Sequence, residues 1–421
     1  MKTYILLILA LLILSCSREE KKCTISGGIT EGETEAMLLF KATKFPVYEA
    51  EIPVSNGRFK YTFKYRVPEV YWLISKEKFQ KSNINEIPFV SESGRKIEFI
   101  LNLSNGGYNV EGPRLNKVLL DYYRELSNRF LIKSLECKDS INAMYRNGTI
   151  FNQNFKELDD ALSKTKDPEK IEQIKNVQWD MKSSGKMYSP GAKRFIEMQD
   201  SISKAQKSWE ADYINNNNSI PAYYLFMRQI KGIVSVNNGK KVDAALIEEG
   251  TKNLERFAKK IPSHPYENII KNALEGLQNV YEGGKCIDFE AVNSKGEKVK
   301  LSDAIKSNKL SLLNFWSTWS EFNIKSNKNL IPIYNQYKDK GFGVIGITHG
   351  YGETTDALKV IEKENYPWTN LIDKDNTAGV WEKYNLSNQS GGTLLVDASG
   401  KIISVDPTID TIKEKVGKLN N

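Results

Sequence analysis

Apolar and polar positions change their spacing twice along the chain. Over residues 23–112 they alternate with a period of two in short runs, at 36–40, 48–54, 58–65, 70–74, 96–101 and 108–112, the pattern of half-buried strands. Ser55-Asn56-Gly57 separates two of these runs and predicts a hairpin, because Asn-Gly accepts the positive φ angles of a tight turn. Residues 23–113 therefore predict a small antiparallel β domain. From Leu115 the interval becomes three and four residues, through Val118, Leu119, Tyr122, Tyr123 and Leu126, so 114–280 predicts a helical region. Gly148 and Gly185 interrupt it, Asp167-Pro168 opens one helix, and Asn215 to Asn218 end another before Ser219 and Pro221. Met181, Met187, Met198, Trp179 and Trp209 are expected to pack between these helices.

From residue 281 short apolar runs alternate with amphipathic segments, which predicts strands alternating with helices. An opening hairpin turns at Ser294-Lys295-Gly296, and 310–316 and 343–347 read as buried strands. Helices are expected over 320–337, with a bend before Pro332, from Thr354 or Thr355 to Glu364, over 376–384 and over 410–419. Residues 393–396 turn through Ala398-Ser399-Gly400 into 401–405. The fold class expected is multidomain α+β: an antiparallel β domain at 23–113, a helical region at 114–280 and an α/β domain at 281–421.

Composition narrows the chemistry. Lys and Arg number 60 against 52 Asp and Glu, a net charge of +8. The excess is spread over the helical region, with 11 basic and 11 acidic residues in 24–113, 27 and 21 in 114–280, and 18 and 18 in 281–421. With no basic block and no zinc spacing, nucleic-acid binding has no support. Two histidines, His264 and His349, and four cysteines, Cys16, Cys23, Cys137 and Cys286, offer no metal-ligand spacing, and neither metal nor cofactor is expected. His264, between Ser263 and Pro265, reads as the residue that starts a helix.

Lys2 and the apolar run 5–14 predict a signal peptide over 1–15, the run being too short to span a bilayer as a mature helix. Ile13-Leu14-Ser15-Cys16 resembles a bacterial lipoprotein box, which implies cleavage before Cys16, lipidation of Cys16 and a tether over 16–22. The resemblance implies a protein held through its lipid in a bacterial cell envelope, outside the cytoplasm; the following Ser17-Arg18-Glu19-Glu20 resembles the tethers of outer-membrane lipoproteins, diluted by Lys21 and Lys22, and the leaflet and the face, periplasmic or cell surface, are left open.

At Leu313-Asn314-Phe315-Trp316-Ser317-Thr318-Trp319 the C-terminal domain resembles the strand-to-helix junction of the TlpA/ResA-like thioredoxin-fold reductases, whose pattern runs N-F-W-x-x-W-C-x-x-C. Asp288-Phe289, Leu301-Ser302-Asp303 and Leu394-Leu395-Val396-Asp397 follow the same order, and the resemblance covers about 140 residues, 281–421. It implies a thioredoxin-like fold and, ahead of it, a β domain of the kind found in envelope relatives. Carried residue by residue, the two catalytic cysteines fall on Ser320 and Asn323, the residues between them on Glu321 and Phe322, and the cis-proline on Gly391. The proline a turn into the active-site helix falls on Lys328. In the family the first thiol attacks a disulfide and the second resolves the mixed disulfide. A serine hydroxyl and an amide do neither.

Three functions are thereby weighed. The first is a redox-inactive domain that binds an envelope peptide or protein through Trp319, Glu321 and Phe322, with Gly391 and Gly392 leaving room for close backbone approach and Trp316 in the core. The second is the family's thiol-disulfide oxidoreductase activity, which would need one of Cys23, Cys137 or Cys286. Cys286 lies by the opening hairpin, away from the junction, and the pairing of the three thiols in an oxidising envelope is left open. The third is hydrolysis by Ser320 with His349 and Glu321 or Glu353, which lacks a G-x-S-x-G elbow.

Overall fold

A computed structural model describes residues 20–350, 354–374, 376–386 and 391–418. The expected leader and lipidation site, Cys16 included, lie outside the described residues, as does Glu353. The chain divides into two compact units, one of residues 20–40 and 49–217 and the other of 41–48 and 218–418.

The first unit begins with β1 (Lys21–Glu31), β2 (Ala36–Lys41), β3 (Tyr48–Pro53), β4 (Arg58–Tyr65) and β5 (Val70–Ser75), followed by α1 (Lys76–Gln80), β6 (Ile87–Val90), β7 (Ile97–Asn102) and β8 (Gly107–Glu111). They form two four-stranded sheets, β4-β1-β7-β8 and β3-β2-β5-β6. Alternation decides the faces: Ile97, Phe99 and Leu101 of β7 are buried while Glu98 and Ile100 are exposed. One core joins Cys23, Ile25, Met37, Leu39, Ile52, Leu73, Phe89 and Phe99. The Asn56-Gly57 turn forms as predicted, with φ of 50° and 67° and paired bonds between Ser55 and Arg58 of 2.9 and 3.0 Å. It does not make a simple hairpin, because β3 and β4 separate into different sheets beyond it. β1 pairs antiparallel with β4 but parallel with β7, since β7 arrives after the chain has crossed through the second sheet. β6 was hidden by Pro88, which an edge strand tolerates. Asn116 covers that edge, its side chain accepting from Val90 N at 2.9 Å and donating to Val90 O at 3.0 Å.

The helices are α2 (Arg114–Leu126), a π turn (Ser127–Leu131), α3 (Ile132–Arg146), α4 (Gln153–Lys164), α5 (Pro168–Ser183), α6 (Pro190–Asn216), α7 (Ile220–Asn237), α8 (Ala244–Lys260) and α9 (Pro265–Asn279). Their starts follow capping chemistry. Asp167, Ser189, Ser219 and Asp243 each accept an amide hydrogen of the first turn, and His264 does so through Nδ1 from Tyr266 N at 3.3 Å. Trp209 packs between helices as expected, stacked on Tyr122 at 5.2 Å. Trp179 and Met198 do not: they are 71% and 41% exposed, because α5 turns Ile171, Ile174, Gln178 and Met181 inward and leaves Trp179 on its outer side. The helices α7–α9 fall in the second unit, although their periodicity continues that of α2–α6.

The second unit ends in β9 (Glu290–Asn293), β10 (Lys298–Lys300), α10 (Leu301–Lys306), β11 (Leu310–Trp316), α11 (Glu321–Tyr337), β12 (Phe342–Gly350), α12 (Thr354–Glu364), β13 (Thr369–Lys374), α13 (Val380–Lys383), β14 (Gly392–Asp397), β15 (Ile402–Val405) and α14 (Ile409–Gly417). The sheet order is β10-β9-β13-β12-β11-β14-β15, with β11 parallel to β12 and antiparallel to β14. Every residue of β11 is buried, as befits a central strand with a core on each face. Leu313, Phe315, Leu371 and Tyr384 share one core, and Leu312, Trp316, Leu330, Ile333 and Trp368 share the other. The helix expected over 376–384 shrinks to α13, because Asn376 and Gly379 take positive φ angles of 53° and 63°.

Candidate binding site at the start of α11

β11 delivers the chain to a turn at Ser317-Thr318-Trp319, and Ser320 caps α11. Ser320 Oγ accepts from Asn323 N at 3.3 Å, and Asn323 Oδ1 accepts from Ser317 N at 3.1 Å. Ser320 N in turn donates to Ser317 O at 3.2 Å. The two positions aligned with cysteines thus form a reciprocal cap, close in logic to a capping box but reaching back to the preceding turn. Ser320 and Asn323 are 8% and 9% exposed. Their side chains close the turn.

Between and before them lie two exposed aromatic side chains and one exposed carboxylate. Trp319 is 68% and Phe322 76% exposed, while Glu321 is exposed in the first turn, where its charge complements the helix dipole. Trp316 is fully buried, as expected, with its ring edge-on to Tyr366 at 5.5 Å. Gly392 begins β14 opposite Phe315. The close approach expected at Gly391 is made by the protein's own strand: a Cβ there would lie 2.1 Å from Phe315 O. Gly391 is thus needed for β14 to seat on β11, and its missing side chain opens no room on that side.

Two contacts hold α11 that the sequence did not announce. Asn314 Nδ2 donates to Asn327 Oδ1 at 2.7 Å, tying β11 to the second turn of the helix. Lys328, at the family's proline position, pairs with the largely buried Glu364 of α12 at 2.7 Å. Pro332 lies inside the helix, one turn further on. Asp373, at the end of β13, is also unforeseen: it is 1% exposed and accepts from Ala378 N at 2.9 Å and Val380 N at 3.3 Å. Burial raises its pKa above the usual carboxylate value, against these hydrogen bonds. It builds the turn before α13.

Cys23, Cys137 and Cys286 are free. Burial pushes the Cys23 and Cys286 thiols up to about 11. Cys286 N donates to Gly400 O at the β14–β15 turn, so the strand from Asp397 back to Gly392, about 17 Å long, separates it from the junction. His349 belongs to β12, and its side chain lies outside the described residues. Among the described residues no group of three His, Cys, Asp or Glu side chains is placed to hold a metal ion. None of their helices is long and apolar enough to cross a membrane.

No curated protein matches the chain. Similar solved structures include the thioredoxin domain of a thiol-disulfide oxidoreductase from Bacteroides vulgatus, 28% identical over 34% of this chain and all of that one, with a TM-score of 0.31. A thiol:disulfide interchange protein from Bacteroides sp. is 28% identical over 33% of this chain and 91% of that one, with a TM-score of 0.30. A thiol-disulfide oxidoreductase from Bacteroides fragilis is 25% identical over 32% and 98%, with a TM-score of 0.29. Residues 283–405 match the profile of the AhpC/TSA family, and with β11 parallel to β12 and antiparallel to β14 they form an AhpC/TSA family domain of thioredoxin-like fold.

Proposed function

We propose that this chain is a lipid-anchored protein of the bacterial envelope whose thioredoxin-like domain binds an extended peptide or protein segment without thiol-disulfide exchange. The observation that carries the reading is the reciprocal cap of Ser320 and Asn323 at the two thiol positions, with Trp319 and Phe322 exposed beside it. Exchange needs a thiolate that attacks a disulfide sulfur and a second thiol that releases the product. Ser320 and Asn323 have neither. Cys23 and Cys286, with thiols near 11, hold on the order of 0.01% thiolate at neutral pH. What remains at the junction is recognition, for which exposed aromatic rings are suited because they offer large contact area at low side-chain entropy cost. Anchoring would come through Cys16, which stands shortly before β1.

The binding reading is tested by calorimetry of the full chain with a permanently unfolded, cysteine-alkylated protein as probe. The wild type should bind it, and Trp319→Ala with Phe322→Ala should weaken binding at least about tenfold, the equivalent of ~1.4 kcal/mol, with an unchanged melting curve. Equal binding by the double variant, or none by the wild type, would remove the surface from consideration.

A further inference from the structure

The end of the β domain at which β1 begins is basic. β1 pairs antiparallel with β4, which sets Lys21 beside Tyr65 and Lys22 beside Lys64, and parallel with β7, which sets Ile25 beside Ile97. The start of β1, the end of β4 and the approach to β7 therefore meet at one end of the sheet. They bring Lys21, Lys22, Lys64, Arg66, Arg95 and Lys96 there, all of them exposed.

The carboxylates at this end do not cancel these charges. Glu20 pairs with Lys64 at 2.9 Å. Glu92 is half-buried and accepts from Leu115 N at 3.0 Å, and Glu69 is 3% exposed. Glu98, further along β7, pairs with Lys96 at 2.7 Å. Among the described residues Lys21, Lys22, Arg66 and Arg95 form no ion pair. The bases come from three neighbouring strands and so cover an end about 10 Å across, a broad surface and not a single row that one extended acidic segment could follow.

The same end lies next to the proposed anchor. From Cys16 to Glu20 is four residues, which reach at most about 14 Å when extended. A lipid on Cys16 would hold these bases near the headgroup layer, where an anionic membrane attracts Lys and Arg within about one Debye length, roughly 8 Å at physiological salt. We propose that this end of the β domain docks on anionic phospholipid headgroups of the membrane that holds Cys16. The proposal rests on the lipid-anchor reading and adds to it an orientation, with the first residues of β1 turned toward the bilayer.

The test has two arms. In the first, the Cys16→Ala full chain, which carries no lipid at that residue, is floated at low ionic strength with phosphatidylcholine vesicles that contain or lack phosphatidylglycerol. It should float with the anionic vesicles alone and be released as salt approaches the physiological range. Lys21→Glu, Lys22→Glu and Arg95→Glu together should weaken this binding at least about tenfold with an unchanged melting curve. Lys166→Glu, Lys170→Glu and Lys175→Glu, the same change of net charge placed at α5, should leave it intact. Equal flotation with neutral vesicles, or equal binding by the two triple variants, overturns the proposal. In the second arm the wild-type chain on such vesicles is acetylated and its lysines are followed by mass spectrometry. Lys21 and Lys22 should react more slowly when phosphatidylglycerol is present, and Lys170 and Lys175 at the same rate. Protection in cell membranes but not in protein-free anionic vesicles would assign this end to an acidic protein and overturn the proposal. Failure of the anchor reading shows separately, as a wild type that stays soluble at physiological salt while the Cys16→Ala chain still floats at low salt.

Discussion

Ser320 Oγ and Asn323 Oδ1 each accept one backbone N–H of the junction, so truncating either side chain strands a donor in a region closed to water. Ser320→Ala should lower domain stability by about 1 kcal/mol, the usual value of an N-cap, and Asn323→Ala by about 1–3 kcal/mol, the cost of an unsatisfied buried amide. Urea unfolding followed by tryptophan fluorescence measures both, and a stabilising effect at either position would contradict the cap. The thiols give a second test. With folded-state values near 11 for Cys23 and Cys286 against about 8.5 unfolded, the native state keeps protons that the unfolded chain loses. Their contribution to stability is therefore complete below about pH 8.5 and declines as pH rises toward 11. Iodoacetamide at pH 8 should modify both thiols on the order of 100-fold more slowly in native than in unfolded protein. The sequence puts Ser320 at the head of the helix expected over 320–337, where a serine ordinarily caps. The return bond from Asn323 was not legible, since it depends on how Ser317-Thr318-Trp319 turns.

At the scale of elements, the readable strands were those whose burial leaves a period. All seven residues of β11 are buried, and the apolar run over 310–316 showed it; β7 alternates and was equally plain. β1 and β6 were missed because Gly27-Gly28 blanks the alternation of one and Pro88 argues against the other. Element type does not tell where a side chain ends up: α5 was predicted, yet Trp179 lies outside it and not in the core. The helix α11 is held by Asn327 and Lys328, and these act with different strength. Asn327→Leu leaves Asn314 Nδ2 buried without its acceptor and should cost about 1–3 kcal/mol. Lys328→Met removes an ion pair whose lysine is more than half exposed and should cost about 1 kcal/mol or less. Equal losses in thermal unfolding would mean that the strand-to-helix bond carries less than its burial implies.

For the whole molecule, sequence periodicity marked the change from β to helical near residue 113 and the return to mixed structure near 281, but not that α7–α9 cluster with the C-terminal domain. Continuous helical spacing cannot report which core a helix joins. At the junction Ser320 and Asn323 stand where the resemblance places thiols, and the exposed residues beside them are Trp319, Glu321 and Phe322. Anchoring belongs to this scale. Cys16→Ala should move the protein from the membrane to the soluble envelope fraction in fractionated cells, and unchanged membrane association would reject lipid attachment at that residue.

The most direct measurement of the central claim, a thioredoxin-like domain whose exchange chemistry has been replaced by binding, is disulfide reduction by the purified full chain beside its Ser320→Cys, Asn323→Cys variant. The account predicts an inert wild type and measurable turnover in the variant, because the helix start that now receives a cap would again present a thiol pair. Turnover by the wild type, abolished by Cys286→Ser, would contradict it.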